Sequence, residues 1–392
     1  MKKICFVVQR YGPEVNGGAE LLCRQLAERM TKYFRVTVFT TKAVDYMTWK
    51  DEYTKSEEIL NGVHVCRFSV KRERNRHRFN KINYNLMNGL LNVDQEKRWF
   101  IEQGPYVPKL IQALEEHEAE FDAFIFNTYL YYPTVFGVPA VRRKAILIPD
   151  MHDEPFLRMK LVRREICCAS AIMYNTEEER ELVCSRFHVK SKPSVVGGAG
   201  VLVPENVSAE SFREKYQISD PYVIYVGRID EGKGCDVMFR YWSEYKRRHP
   251  GPVKLVLMGK SAIFIPQRDD IVTLGFVPEE DKFAGIAGVE FLLLPSWYES
   301  LSIIVLEAMS LGVPVLVNGW CDVLKGHCVR SNAGLYYRSF EEFEAAASFL
   351  LSDRPQVEGM RRNGPVYVKE NYQWDVILKK LLSLVDGLEK VD

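Results

Sequence analysis

Two acids eight positions apart, Glu299 and Glu307, lie in the stretch Leu292 to Val317, LLLPSWYESLSIIVLEAMSLGVPVLV. An apolar run ends at Pro295-Ser296, and the pattern beyond it predicts a helix from Ser300 to Leu311 with Glu299 at its entrance. On such a helix the two carboxylates stand roughly 12 Å apart along the axis. The free N–H groups of Ser300, Leu301 and Ser302 at the helix start are suited to an anion. Together these groups fit an extended ligand, with hydroxyls on one carboxylate, a diphosphate on the amides and a ribose diol on the other carboxylate. The competing reading is an N-terminal capping acid and a solvated helix residue. Val305, Leu306, Ala308 and Met309 around Glu307 make full solvation uncomfortable.

A second candidate is Tyr225 to Gly234, YVGRIDEGKG: an apolar strand ending at Gly227, then Arg228 and Lys233 five apart in a glycine-punctuated loop. A departing diphosphate needs fixed positive charge, for which Arg supplies a forked donor and Lys a point charge. Such charge lowers a barrier most where water is excluded. The loop is not a P-loop, because G-x-x-x-x-G-K-[ST] is absent. A surface turn with two solvated cations is the other reading. A third candidate, YGPEVNGGAE from Tyr11 to Glu20, puts Gly17 and Gly18 at a helix start, where backbone can close on a phosphate. Helix–sheet packing explains the same pair. The missing G-x-G-x-x-G counts against NAD and a dehydrogenase. A fourth, PDMHDEP from Pro149 to Pro155, places His152 after a strand, able to bond a sugar hydroxyl or carry a proton, or else to pair structurally with Asp153 or Glu154.

The elements that must hold these residues alternate. Ile4 to Val8 reads as a strand buried on both faces, followed by a helix from about Ala19 to Lys32 with Leu22, Leu26 and Met30 on its apolar face. Strands are expected at Arg35 to Thr41, Phe124 to Phe126, Ala145 to Ile148 and Ala171 to Tyr174, with helices at Val107 to Glu118 and Glu177 to Phe187. The rhythm restarts with strands at Tyr222 to Val226, Lys254 to Met258, Phe291 to Leu294 and Val313 to Val317, and helices at Cys235 to Arg248 and Glu279 to Ala287. Such alternation means parallel sheets and a doubly wound α/β layout, with ligands at the carboxyl ends of the strands. The Gly- and Pro-rich stretch Val196 to Val207 is the expected boundary. It separates one domain over 1–196 from a second over 197–370, with a closing helix at 371–392 packing back on the first.

The 392 residues suit two domains, and an apolar fraction of 47% lets each bury a core. A net charge of +1 argues against nucleic acid as partner. Nine scattered cysteines without a C-x-x-C pair read as reduced thiols of a cytoplasmic protein rather than disulfides or a zinc site. Cys321, His327 and Cys328 lie close together, but no other pair completes a metal site. The apolar run at Ile4 to Val8 is too short for a signal-peptide core, and no stretch approaches 18 apolar residues. The basic run Arg67 to Lys81, RFSVKRERNRHRFNK, reads as a solvated loop; the alternative is docking to an anionic membrane surface that bears a lipid-linked acceptor.

In combination and in order, YGPEVNGGAE, HDEP, YVGRIDEGKG, LGFVPEEDKF, PSWYESLSIIVLEAMSLGVPVL and a terminal YQWD resemble glycosyltransferase family 4 over nearly the whole chain. The resemblance implies a GT-B fold, α/β with two Rossmann-like doubly wound parallel-sheet domains facing a deep cleft. It implies retaining transfer of a hexose-type sugar from a UDP- or GDP-linked donor, with a slight lean to UDP, to a glycan or lipid-linked acceptor of cell-surface polysaccharide synthesis. The first domain would face the acceptor and the second bind the donor. The nucleotide-sugar is substrate; no cofactor and no metal is implied, and the absent D-x-D fits that. Arg228 and Lys233 would neutralise the diphosphate, Glu307 hold the ribose, and Glu299 with main chain of Ser300 and Leu301 meet the donor sugar. Gly18 would close over the phosphates, His152 approach the reacting carbon, and main chain around Val277 read the base. Leu301-Ser302 stand where many relatives have Phe-Gly, and Cys321 to Leu324 replace the common Gly-x-x-Glu. A GT-B epimerase or phosphorylase and a catalytically silent nucleotide-sugar-binding protein are the alternatives.

Overall fold

In the computed structural model the described residues are 1–15, 17–89 and 91–388; Asn16 of the segment Tyr11 to Glu20, and 389–392 of the expected closing helix, lie outside them. The chain forms two compact units, Met1–Gly198 with Asp375–Asp392, and Ala199–Trp374.

Unit 1 holds eight strands: β1 (Lys3–Val7), β2 (Arg35–Thr41), β3 (Glu57–Leu60), β4 (Val63–Phe68), β5 (Ala123–Asn127), β6 (Ala145–Ile148), β7 (Ala171–Tyr174) and β8 (Ser194–Val196). Their order across the sheet is β3-β4-β2-β1-β5-β6-β7-β8. β1 lies parallel between β2 and β5, with Ile4 opposite Val36 and Ala123. It is apolar because it is buried on both faces. The sheet is not wholly parallel as the alternation predicts, since β3 runs antiparallel to β4. The turn between them is Asn61-Gly62, both at positive φ. Asn-Gly is a strong hairpin signal, and Val63 and Val65 alternate inward after it. The basic run also differs from a solvated loop. Arg67 ends β4 with its side chain buried against Glu58 and the Tyr53 ring, and the helix Arg76–Asn88 begins within the run.

Unit 2 holds β9 (Tyr222–Val226), β10 (Lys254–Met258), β11 (Ile271–Gly275), β12 (Leu292–Leu294), β13 (Val315–Asn318) and β14 (Gly334–Tyr337). Their order is β11-β10-β9-β12-β13-β14, every neighbour parallel. In chain order that is 3-2-1-4-5-6, the doubly wound Rossmann arrangement. The winding reverses between β9 and β12, which opens a crevice at their carboxyl ends. The helix Cys235–Arg248 turns Met238, Phe239, Trp242 and Tyr245 onto the core. The last helices differ slightly from expectation: one spans Pro355–Asn371, and the closing helix starts at Trp374. The closing helix buries Ile377, Leu378, Leu381, Leu384 and Val385, and Lys380 Nζ donates to Val196 O at 2.6 Å in unit 1.

Candidate functional site

The crevice of unit 2 gathers the first two sequence candidates. The loop after β9 turns at Gly227 (φ 148°) and ends at Gly234 (φ 72°), which precedes the helix Cys235–Arg248. A Cβ at Gly234 would stand 2.5 Å from Pro295 O, so only glycine lets this loop approach the one after β12. Asp230 organises the turn. Its Oδ1 accepts the Lys233 backbone N–H at 2.8 Å, and its Oδ2 pairs with the Arg228 guanidinium. Tyr225 Oη donates to Arg228 O at 2.6 Å. Lys233 Nζ reaches across to Glu299 Oε1 at 2.6 Å, so the structure brings two predicted site residues together.

The segment around Glu299 is not the helix start that its pattern predicts. The helix runs Ile303–Ser310, and Ser302 before it is left-handed (φ 63°, ψ 71°). Glu299, Ser300, Leu301 and Ser302 therefore lie in the loop, and the spacing of roughly 12 Å derived for one continuous helix does not apply. The reason is local: a left-handed residue cannot continue a right-handed helix backward. The side-chain hydroxyls of Ser296 and Ser302 are buried without a partner among the described residues. Leu301 is held by its carbonyl, which accepts from His327 Nε2 at 2.8 Å, while His327 Nδ1 accepts from Tyr367 Oη at 3.0 Å. His327 is fully buried. Burial pushes the Cys321 thiol up to about 11.

Glu307 is not solvated; it is 9% exposed. Lys282 Nζ donates to both its oxygens, at 2.8 and 2.9 Å. Burial pushes the Glu307 carboxyl up and Lys282 pulls it back down. Val277 is buried at the loop after β11, just before the helix Glu279–Ala287 that carries Lys282. Asp230 and Lys282 escaped the sequence reading. A D-E-G-K turn after Arg228 is a signal for the first; nothing in spacing links Lys282 to an acid 25 residues on.

Unit 1 presents its own set at the carboxyl ends of β1, β5, β6 and β7. Gly17 caps the helix Gly18–Met30, and a Cβ there would strike the Glu20 carboxylate at 2.1 Å, whereas at Gly18 it would meet nothing within 4 Å. Glu20 is buried and paired with Arg10 at 2.6 Å. His152 Nδ1 lies 3.4 Å from Glu154 Oε1, which also accepts from Tyr129 Oη. Two residues before His152, Asp150 is left-handed (φ 54°); its Oδ1 accepts from Asn175 Nδ2 at 2.5 Å and its buried Oδ2 has no partner among the described residues. Burial pushes Asp150 and Glu154 each up to about 7, in Asp150 with help from nearby Glu20. Glu179 is likewise raised by burial, and accepts the N–H groups of Met151 and Asn175. Among the described residues no three His, Cys, Asp or Glu side chains gather as a metal site would need.

Residues 220–353 match the family model described as Glycosyl transferases group 1. An uncharacterized glycosyltransferase of Methanocaldococcus jannaschii is 24% identical over 97% of this chain and 97% of that protein. The chain spans about half the length of several other curated relatives it matches. Among solved structures, sucrose-phosphate synthase from Thermosynechococcus elongatus superposes with a TM-score of 0.72 at 16% identity over 100% of both chains. Anabaena HepE, solved in complex with UDP and glucose, gives a TM-score of 0.68 at 16% identity over 99% of this chain and 100% of that one. The fold is GT-B, and with these matches the chain is a glycosyltransferase of that type.

Proposed function

We propose that this glycosyltransferase belongs to family 4 and transfers a hexose-type sugar, with retention and without a metal, from a UDP- or GDP-linked donor to a glycan or lipid-linked acceptor of cell-surface polysaccharide. The observation that carries the reading is the crevice of unit 2 at the reversal of strand order, with its three ion pairs Arg228–Asp230, Lys233–Glu299 and Lys282–Glu307. Arg228 and Lys233 exchange Asp230 and Glu299 for the donor diphosphate, and the freed Glu299 turns to the sugar hydroxyls. Glu307, paired with Lys282, accepts from the ribose diol. Gly18, where an added Cβ would meet nothing within 4 Å, offers its backbone to a phosphate. His152 bonds the donor sugar.

Chemically, the bond from the anomeric carbon to the β-phosphate oxygen breaks and the acceptor oxygen bonds to that carbon on the same face. The acceptor proton passes to the departing phosphate oxygen. Arg228 and Lys233 stabilise the charge that grows on that phosphate, which is the task a metal has elsewhere. Support for a UDP donor comes from HepE with its bound UDP, and support for GDP from relatives named GDP-mannose-dependent mannosyltransferases. Calorimetry with UDP and GDP in EDTA tests the reading: one of them binds, and silence with both overturns it.

The helix Arg76–Asn88 of unit 1 supports a place at the inner surface of a membrane. It exposes Arg76, Arg78 and Lys81 together with Tyr84, which is 69% exposed. No helix among the described residues is long and apolar enough to cross a membrane. Flotation with anionic but not neutral liposomes is the expected outcome; equal behaviour with both removes this part of the reading.

A further inference from the structure

The carboxyl edge of unit 2 carries exposed aromatic rings that the donor reading leaves unused. Trp297 is 38% exposed and Tyr298 52%, immediately before Glu299; Trp320, in the loop after β13, is 59% exposed. Single exposed aromatics are ordinary on a protein surface. Trp320 differs in being fixed. Its indole N–H donates to Arg338 O at 3.2 Å, and the Arg338 guanidinium sits over the ring, 4.8 Å from its centroid. Arg338 Nε in turn donates to Gly319 O at 2.9 Å. The backbone is tied as well: Trp320 N–H donates to Asn318 Oδ1 at 3.0 Å, and Asn318 Nδ2 donates to Pro295 O at 3.2 Å. A Cβ at Gly319 would come within 2.8 Å of the Tyr336 ring, so this close seating requires glycine. A large ring is thus held rigid with Arg338 on one side and more than half its surface in water. Rigid aromatic rings bind at low entropic cost, because little freedom is left to lose.

Position indicates what the ring would meet. The sheet order β9-β12-β13 sets three loops side by side, each a strand spacing of about 4.8 Å from the next. The first loop carries the cations Arg228 and Lys233, the second Glu299, the third Trp320. Asn318 Nδ2, at the end of β13, donates to Pro295 O after β12, which fixes the second and third loops as neighbours. Moving away from the diphosphate cations, one passes the carboxylate for the transferred sugar and then reaches Trp320. The group beyond the transferred sugar is a further sugar ring. A pyranose has a flat face of C–H bonds that packs on an aromatic face, while its hydroxyls stay in water.

We propose that Trp320 is a saccharide subsite that stacks a neutral pyranose ring of the acceptor glycan. The proposal rests on the proposed function for the order along the edge and for a saccharide acceptor. The chain has six tryptophans, so indole N–H resonances of the full-length protein labelled at tryptophan nitrogen are few enough to follow singly. Trp320→Phe identifies the resonance of Trp320. The probes are mannohexaose and maltohexaose, with methyl α-mannoside and methyl α-glucoside as single-ring controls.

The expected result is that at least one hexasaccharide shifts the Trp320 resonance, and does so at lower concentration than its single-ring control. By calorimetry the dissociation constant then rises about tenfold in Trp320→Ala and stays within about threefold in Trp320→Phe. A Trp320 resonance unmoved by all four probes overturns the proposal. So does unchanged affinity in Trp320→Ala with a native unfolding midpoint, which the Phe variant also controls. Nucleotide binding by the native protein is a separate measurement. UDP or GDP binding without a saccharide response sinks this inference alone, whereas silence with both nucleotides sinks the donor reading.

Discussion

The carboxyl edges of the two sheets solve the problem of holding polar groups in opposite ways. In unit 2 the charges are paired with one another: Arg228 with Asp230 inside one loop, Lys233 with Glu299 across two loops, and Lys282 with Glu307 between two helices. In unit 1 the pair Arg10 with Glu20 is followed by acids whose hold on a proton is strengthened by burial: Asp150 and Glu154 are pushed up to about 7, and Glu179 well above the usual carboxylate range. Asn127 and Asn175 on the same edge have buried amide atoms without partners among the described residues. A charged ligand needs fixed opposite charge that a like-charged group can displace, and unit 2 is built so. A neutral, hydroxyl-rich ligand needs donors and acceptors without net charge, and unit 1 has those. The difference matches a diphosphate on one unit and a sugar alcohol on the other.

The comparison breaks most visibly if the cations of unit 2 prove dispensable. Arg228→Ala and Lys233→Ala are each expected to lower the transfer rate by about 10²–10³, the usual loss on removing one donor to a developing oxyanion. Steady-state kinetics at saturating donor is the check. Lys233→Ala also strands Glu299, so Glu299→Gln in the same background should recover part of any lost stability but none of the rate. Rates within threefold of native in both single variants would mean that the edge of unit 2 is a surface turn.

A smaller effect tests unit 1. Asp150 titrates near 7 in the folded chain against an ordinary 3.8. Between those values the folded state holds a proton that the unfolded state has released. Stability therefore falls as pH rises from about 4 to about 7 and levels above it. Asp150→Asn keeps a residue type that tolerates the left-handed backbone and removes the titration. Between pH 5 and pH 8 the native protein should lose about 2–3 kcal/mol more than the variant, read by urea unfolding. Glu154 and Glu179 act in the same direction and remain in both proteins. Parallel curves would show that Asp150 is ionised at neutral pH, and the two edges would no longer differ.

How much of this was legible follows from what each feature depends on. The apolar runs of β1, β6, β7, β9 and β10 and the helix Cys235–Arg248 stand where periodicity places them, because burial on both faces or on one stripe dictates residue type. The loop bearing Arg228 and Lys233 was readable as a turn because Gly227 and Gly234 take up the positive φ it needs. The hairpin at Asn61-Gly62 carries its signal openly, in a turn dipeptide followed by alternating valines. Lys282 beside Glu307 was not legible, since a contact between two helices leaves no spacing in the chain. Nor was the neutral edge of unit 1: Asn127, Asp150 and Asn175 are single residues at the ends of three strands, and only the sheet order makes them neighbours.

Ser302 sharpens the comparison by the smallest margin. Both edges hold non-glycine residues at positive φ, Thr128 and Asp150 in unit 1 and Ser302 in unit 2. Asp150 gains from its conformation, since its carboxyl reaches Asn175. Ser302 gains nothing visible: its hydroxyl is buried and has no partner among the described residues. A left-handed L-residue costs about 1–2 kcal/mol, and an unsatisfied buried hydroxyl about 1–3 kcal/mol. Glycine removes both costs, and loses about 0.5–1 kcal/mol through the greater freedom of the unfolded chain. Ser302→Gly should therefore raise stability by at least about 1 kcal/mol, read as a higher midpoint in urea. The same change at Asp150 should lower it, because the bond to Asn175 disappears. A fall at both positions would mean that the Ser302 hydroxyl is engaged, for instance by ordered water, and that the loop carrying Glu299 is held by polar contacts as unit 1 is.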